Sequence, residues 1–170
     1  ESEWIGSHHK IVGINVSASQ RWETKVWPMH HVIKLCEELG RRDIRVVLTG
    51  SAQDLPRAQE LLLGVKNVKP IIACGKTTVM QLACLVKRCT AYVSADSAPL
   101  HVAAAMGTPF VALFGSTDPC RHLPYAARYE VIKKDLSCSP CYKSKCAKVR
   151  CMELIKPEEV CEAIERLLIR

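Results

Sequence analysis

The residues with chemistry to offer fall into a few short polar runs and one array of thiols. Asp96-Ser97-Ala98-Pro99-Leu100-His101 sets a carboxylate and a hydroxyl just ahead of a proline. That is the pattern of a helix start: Asp or Ser caps, Pro suits the first turn, and unpaired backbone N–H groups attract phosphate. The same residues also read as a plain cap, with His101 hydrogen-bonded in the first turn. Lys25, in a polar stretch ahead of Trp27-Pro28, either supplies positive charge for a diphosphate or stands solvated. Cys138, Cys141, Cys146 and Cys151 follow the spacing C-x2-C-x4-C-x4-C. Such an array could hold a structural Zn²⁺ or an iron–sulfur cluster, or could remain four unligated thiols.

Several common signatures are absent. No G-x-G-x-x-G array occurs, which argues against a dinucleotide oxidoreductase, and there is no H-E-x-x-H or G-x-S-x-G. Cys74-Gly75-Lys76-Thr77 ends like a P-loop, but Pro70 stands where that motif wants its first glycine, so phosphate cradling is not expected there. Hydrolase chemistry has no visible nucleophile.

Positioning these residues requires a scaffold, and the hydrophobic pattern supplies one. Buried strands are predicted at 10–16, 44–49, 68–72, 90–94, 109–114 and 129–133. Between them lie helical patterns: Met29, Val32, Ile33, Cys36 and Leu39 up to Gly40, then 53–63, 77–88 and 99–106, with a last helix over 157–169. In that last helix Pro157, Glu158 and Glu159 suit the positive end, and Arg166 and Arg170 the negative end. The alternation predicts an α/β fold, a Rossmann-like doubly wound parallel sheet. Ligands in such sheets bind beyond the carboxyl ends of the strands. The polar runs lie there: Ser17-Ala18-Ser19 with Thr24-Lys25, Gly50-Ser51-Ala52-Gln53-Asp54, Asp96 to His101, and Gly115-Ser116-Thr117-Asp118-Pro119. Residues 1–9 and about 115–152 are the weakly structured stretches.

Composition narrows the function classes. With 170 residues, 48% of them hydrophobic, the chain can bury a core, and no stretch of 18 apolar residues or signal-peptide pattern is present. A cytoplasmic location with reduced thiols is expected, Cys36, Cys74, Cys84, Cys89 and Cys161 packing as small hydrophobes. The net charge of +7 is uneven: residues 133–150 carry six basic side chains against Asp135 alone. Aromatic residues make up only 5% of the chain, poor for base stacking, so no nucleic-acid partner is expected.

The polar runs taken together resemble the C-terminal half of the bacterial lipopolysaccharide heptosyltransferases, glycosyltransferase family 9 of the GT-B type. The similarity rests on Asp96 through Pro109 and on Phe114-Gly115-Ser116-Thr117-Asp118-Pro119. It extends to Lys25-x-Trp27-Pro28, to Leu48-Thr49-Gly50-Ser51, and to Cys151-Met152 followed by Ile155-Lys156-Pro157-Glu158-Glu159-Val160. It covers roughly residues 10–169.

The resemblance implies one half of a GT-B enzyme: residues 10–170 as a nucleotide-sugar donor-binding domain with a Cys-rich basic loop at about 134–152, and 1–9 as the remnant of an interdomain linker. It further implies transfer of heptose from ADP-heptose, with inversion, to the lipopolysaccharide inner core. The acceptor and the catalytic base would belong to a missing N-terminal domain, so this half alone would be inactive and needs no cofactor. Ser97, Ala98 and Pro99 would receive the diphosphate with Lys25 and Thr24; Asp96 and His101 would lie by the donor sugar and phosphates. Gly50-Ser51 would lie near the nucleoside, with Ser17 at the same edge. The family's usual glycine is replaced by Ala98, which alters how closely a phosphate can approach the backbone. The basic loop could face the phosphorylated acceptor or the inner membrane surface peripherally, or form a solvated rim. Two other readings stand: a nucleotide-binding or regulatory module, and a transferase using another nucleotide sugar.

Overall fold

The structure, a computed structural model, describes residues 10–19 and 21–169. The expected linker remnant at 1–9 and the helix-end charge at Arg170 lie outside the described residues. Six strands form one sheet: β1 (Ile11–Asn15), β2 (Arg45–Thr49), β3 (Ile71–Ile72), β4 (Ala91–Ala95), β5 (Phe110–Phe114) and β6 (Tyr129–Lys133). Their order is β3-β2-β1-β4-β5-β6 and every pairing is parallel.

The sheet is covered on both faces, and β5 shows why. Val111 and Leu113 enter a core with Leu35, Cys36 and Leu39 of helix α1 (Met29–Arg41) and Ile164 and Leu167 of helix α7 (Pro157–Ile169). Phe110, Ala112 and Phe114, pointing the other way, pack with Leu100 and Ala103 of helix α4 (Ala98–Ala105) and Val86 of helix α3 (Val79–Lys87). A strand buried on both faces has no polar alternation to show, hence the continuous apolar run. Burying each large aliphatic side chain contributes about 1.5–3 kcal/mol. Gly13 of β1 pairs with Tyr92 of β4, and an added methyl would sit 2.5 Å from the Tyr92 ring, so the position must stay bare.

Most predicted elements stand within a residue or two. The third strand shrinks to Ile71–Ile72, because it is an edge strand and Pro70 offers no N–H to a ladder. Helix α2 (Leu55–Gly64) begins after a separate 3-10 turn, Ala52–Asp54. The segment 115–152 holds two single-turn helices besides β6, α5 (Pro119–His122) and α6 (Arg150–Glu153). Cys84 is exposed rather than packed: it falls on the side of α3 opposite Leu82 and Val86, which face the sheet. Among the described residues no helix is long and apolar enough to cross a membrane.

Candidate functional site

The chain leaves β1 toward β2 and β3 on one side, and β4 starts the series running the other way. The carboxyl ends of β1 and β4 therefore diverge into a crevice, the switch point where such sheets take ligands. A cleft of about 780 Å³ opens there. Its walls include Ser17, Lys25, Gly50, Ser51, Asp96, Ser97, Ala98, Pro99 and His101. Thr24 does not line it.

Lys25 is the centre of the cleft's polar geometry. It ends a 3-10 turn, Glu23–Lys25, and its Nζ lies 2.7 Å from Asp96 Oδ2 and 4.5 Å from the centre of the Trp22 ring. The same Asp96 oxygen accepts a 2.8 Å hydrogen bond from Thr117 Oγ1. Both ionic side chains are largely covered, 14% and 7% exposed. Asp96 is thus no helix cap; it fixes a cation at the floor of a cleft. Cation–π and charge-assisted contacts of this kind hold a flexible lysine in one place before any ligand arrives.

Ser97 precedes α4 but its side chain caps nothing. Its hydroxyl instead donates to Ala95 O at 3.2 Å, lies 3.1 Å from Ser94 Oγ and accepts from Asn15 Nδ2 at 3.3 Å. The supply of free amides at this helix end is smaller than the sequence suggests. Pro99 has no N–H, and Leu100 N–H turns back to Ser97 O at 3.0 Å. The positive character of this end of the cleft therefore comes from Lys25 more than from a row of amides.

The Gly50-Ser51 turn is closed on itself. Ser51 N and Oγ both donate to Asp54 Oδ2, at 2.7 and 2.6 Å. Against it packs Gly75, at φ +68°, where an added methyl would stand 2.8 Å from Ala52 Cα. The glycine in the P-loop-like run is accounted for by this close approach.

Thr24 is buried behind the cleft. Its hydroxyl donates to Lys143 O at 2.6 Å and pairs with Ser116 Oγ at 2.9 Å, while its N–H reaches Ser144 O at 3.4 Å. It fastens the turn bearing Lys25 to the basic Cys-rich loop. The amides of Cys141 and Tyr142 clamp the same loop to Ser116 O, and Ser139 Oγ to Gly115 O. Tetrahedral thiolate sites with 2.3 Å bonds place their sulfurs about 3.8 Å apart. Among the described residues no three of Cys138, Cys141, Cys146 and Cys151 bring their sulfurs within 4.8 Å of one another. Cys138 and Cys146 are exposed, Cys141 and Cys151 half-buried, and backbone bonds to β5's end set the loop's path.

Sequence reasoning missed Asn15, Trp22 and Thr117 as parts of the site. Asn15 left a trace, as the polar residue closing an apolar strand. Thr117 lay in a flagged run, but nothing in the sequence joined it to Asp96, 21 residues away.

The profile of glycosyltransferase family 9 (heptosyltransferase) matches residues 2–151. The lipooligosaccharide heptosyltransferase 2 of Campylobacter jejuni is 30% identical over 164 residues, which are 94% of this chain and 51% of that protein. The solved structure of Escherichia coli ADP-heptose lps heptosyltransferase II aligns over 98% of this chain and 48% of its own, with TM-score 0.83 and 27% identity. A glycosyl transferase family 9 structure from Veillonella parvula gives TM-score 0.84 and 28% identity over 99% of this chain. The chain spans about half the length of the relatives it matches.

Proposed function

The chain belongs to glycosyltransferase family 9, and from that premise we propose that it is the donor-binding half of a heptosyltransferase that moves heptose from ADP-heptose to the lipopolysaccharide inner core. The observation that carries this reading is the Lys25–Asp96 pair set at the switch point, ahead of α4, in a cleft of nucleotide size. Lys25 receives the diphosphate, with the backbone at Ser97, Ala98 and Pro99 beside it. Gly50 and Ser51 flank the nucleoside, Ser17 lies at the facing edge, and Asp96 and His101 lie toward the donor sugar. Thr24 acts from behind by holding the turn that carries Lys25.

In the reaction the acceptor hydroxyl, deprotonated by a base on a second α/β domain, attacks the anomeric carbon as the C–O bond to the diphosphate breaks, inverting configuration. The developing charge on the leaving ADP is what this half stabilises, with a cation already positioned in a cleft that the second domain closes against water. On this account the half alone binds donor without transferring it. The exposed Lys143, Lys145, Lys148 and Arg150 face the phosphorylated acceptor or anionic headgroups, an attraction that added salt should abolish.

Calorimetric titration of the reduced chain with ADP, UDP and GDP tests the reading. Selective ADP binding that Lys25→Ala removes supports it. A preference for UDP or GDP keeps the transferase and changes the donor, and binding indifferent to Lys25 removes the site assignment.

A further inference from the structure

A second set of possible metal ligands lies away from the cysteine array. Among the described residues, one group of three ligating side chains has its ligand atoms within 4.8 Å of one another: His30, His31 and Glu153. The histidines sit in the first turn of α1 and Glu153 ends α6, 122 residues on from His31. His30 Nε2 lies 3.2 Å from Glu153 Oε1 and His31 Nε2 lies 3.5 Å from the same oxygen.

We propose that His30, His31 and Glu153 form a binding site for a borderline divalent cation of the Zn²⁺ class, stapling the start of α1 to the end of the Cys-rich loop. Imidazole nitrogen and one carboxylate oxygen, with water in the fourth place, are a donor set that suits Zn²⁺, Ni²⁺ or Cu²⁺ and disfavours Mg²⁺ or Ca²⁺, which want oxygen alone. Bonds of 2.0–2.1 Å in a tetrahedron place neighbouring ligand atoms about 3.3 Å apart. The two observed nitrogen–oxygen separations, 3.2 and 3.5 Å, already bracket that edge.

One ligand is held in place by packing. The His31 ring is buried and stacked on Trp27, centroids 5.7 Å apart, and Trp27 is itself fixed by its Nε1–H to Ile155 O at 3.0 Å. His31 Nε2–H now donates to Glu153 O at 2.9 Å, so for Nε2 to face an ion that carbonyl, at the end of a single-turn helix, must swing aside while the ring keeps its stacked place. The carbonyl is not orphaned by that change, because Lys156 Nζ also donates to it at 3.0 Å. His30 is 65% exposed and Glu153 46%, so both are free to close on an incoming ion. Ligation through Nε2 leaves His31 neutral, its proton passing to Nδ1, so metal entry need release no proton.

The test is Zn²⁺ and Co²⁺ titration of the chelator-treated full chain, followed by calorimetry, melting temperature and the Co²⁺ absorption spectrum. The cysteines are the obvious competitor, and Co²⁺ distinguishes them, since thiolate ligation gives an intense near-ultraviolet charge-transfer band that nitrogen and oxygen ligation lacks. The expected result is one ion at micromolar free metal, a raised melting temperature, no thiolate band, and affinity at least about tenfold weaker in both His30→Ala and Glu153→Gln. His30 is exposed, so its variant keeps the fold. Absence of binding at micromolar metal, a thiolate band, or affinity unchanged in both variants would overturn the proposal.

Discussion

Two regions near the carboxyl edge of the sheet attract attention in the sequence, and the fold treats them in opposite ways. Lys25 and Asp96 stand 71 residues apart, yet they meet at 2.7 Å in a cleft lined by the ends of separate strands. The four cysteines lie within 14 positions of one another, yet no three of their sulfurs gather within 4.8 Å. Convergence comes from the parallel sheet, which delivers every βα turn to one edge whatever the distance along the chain. Short spacing inside a loop delivers nothing by itself, because the backbone bonds that shape the loop also decide where its side chains point.

The sharpest way to break this contrast is to remove the converged cation. Lys25→Ala leaves the Asp96 carboxylate covered and short of its partner, so unfolding free energy measured by urea should fall by about 3 kcal/mol. Nucleoside diphosphate affinity should fall about ten- to a hundredfold. Adding Asp96→Asn to Lys25→Ala should restore much of the stability and none of the affinity, which separates the pair's structural role from its role toward ligand.

Thr24 is where the two regions touch, and Thr24→Val tests whether the loop supports the cleft. The variant strips a buried hydroxyl from Lys143 O and Ser116 Oγ, at a cost of about 1–3 kcal/mol. Nucleotide affinity should weaken severalfold, less than in Lys25→Ala, and Thr24→Ser should restore it. Equal affinity in Thr24→Val and wild type would show that the loop and the cleft are independent.

Alkylation of the native chain probes the loop itself. Exposed Cys138 and Cys146 should react along with Cys84 and Cys120, and Cys146 fastest of these. The backbone N–H groups of Lys148 and Val149 bond its sulfur and, with Lys143 nearby, hold its thiol below the ordinary range. Burial pushes the Cys36 and Cys89 thiols up to about 12 and Cys74 to about 11, so these three should be modified only after unfolding. Peptide mass mapping of labelled chain reads the result. The smallest effect is expected of Lys145→Ala: its ion pair with Glu23, at 4.0 Å, lies on an exposed surface, and nucleotide affinity should not change.

Much of the fold was legible because most strands are apolar runs bounded by polar turns and α1 and α7 show a stripe of period 3.6, signals local to ten or so residues. The types of the site residues were legible for the same reason, since strand ends mark themselves. What the sequence withheld was their partners. Asp96 looked like a cap and proved to be a counter-ion; Ser51 lines the cleft as expected, but its hydroxyl partner, Asp54, was not foreseen. Thr24 looked like a neighbour of phosphate and turned inward to Lys143 O, because a threonine before a lysine reads the same whichever way the turn is wound. Glu153 stood too far along the chain to be joined to His30 and His31.

The proposed function stands or falls on whether the carboxyl-end cleft takes the nucleotide. The molecule offers a fair control, a second hollow of about 590 Å³ at the amino ends of β2 and β3, lined by Gly40, Arg45 and Lys69 among others. The most direct measurement is the amide spectrum of the isotopically labelled chain during titration with ADP. Saturable shifts at Ser17, Lys25, Ser97 and Ala98, with Gly40 and Lys69 unmoved, are the predicted result. Shifts confined to the amino-end hollow, or none up to millimolar ADP, would contradict it.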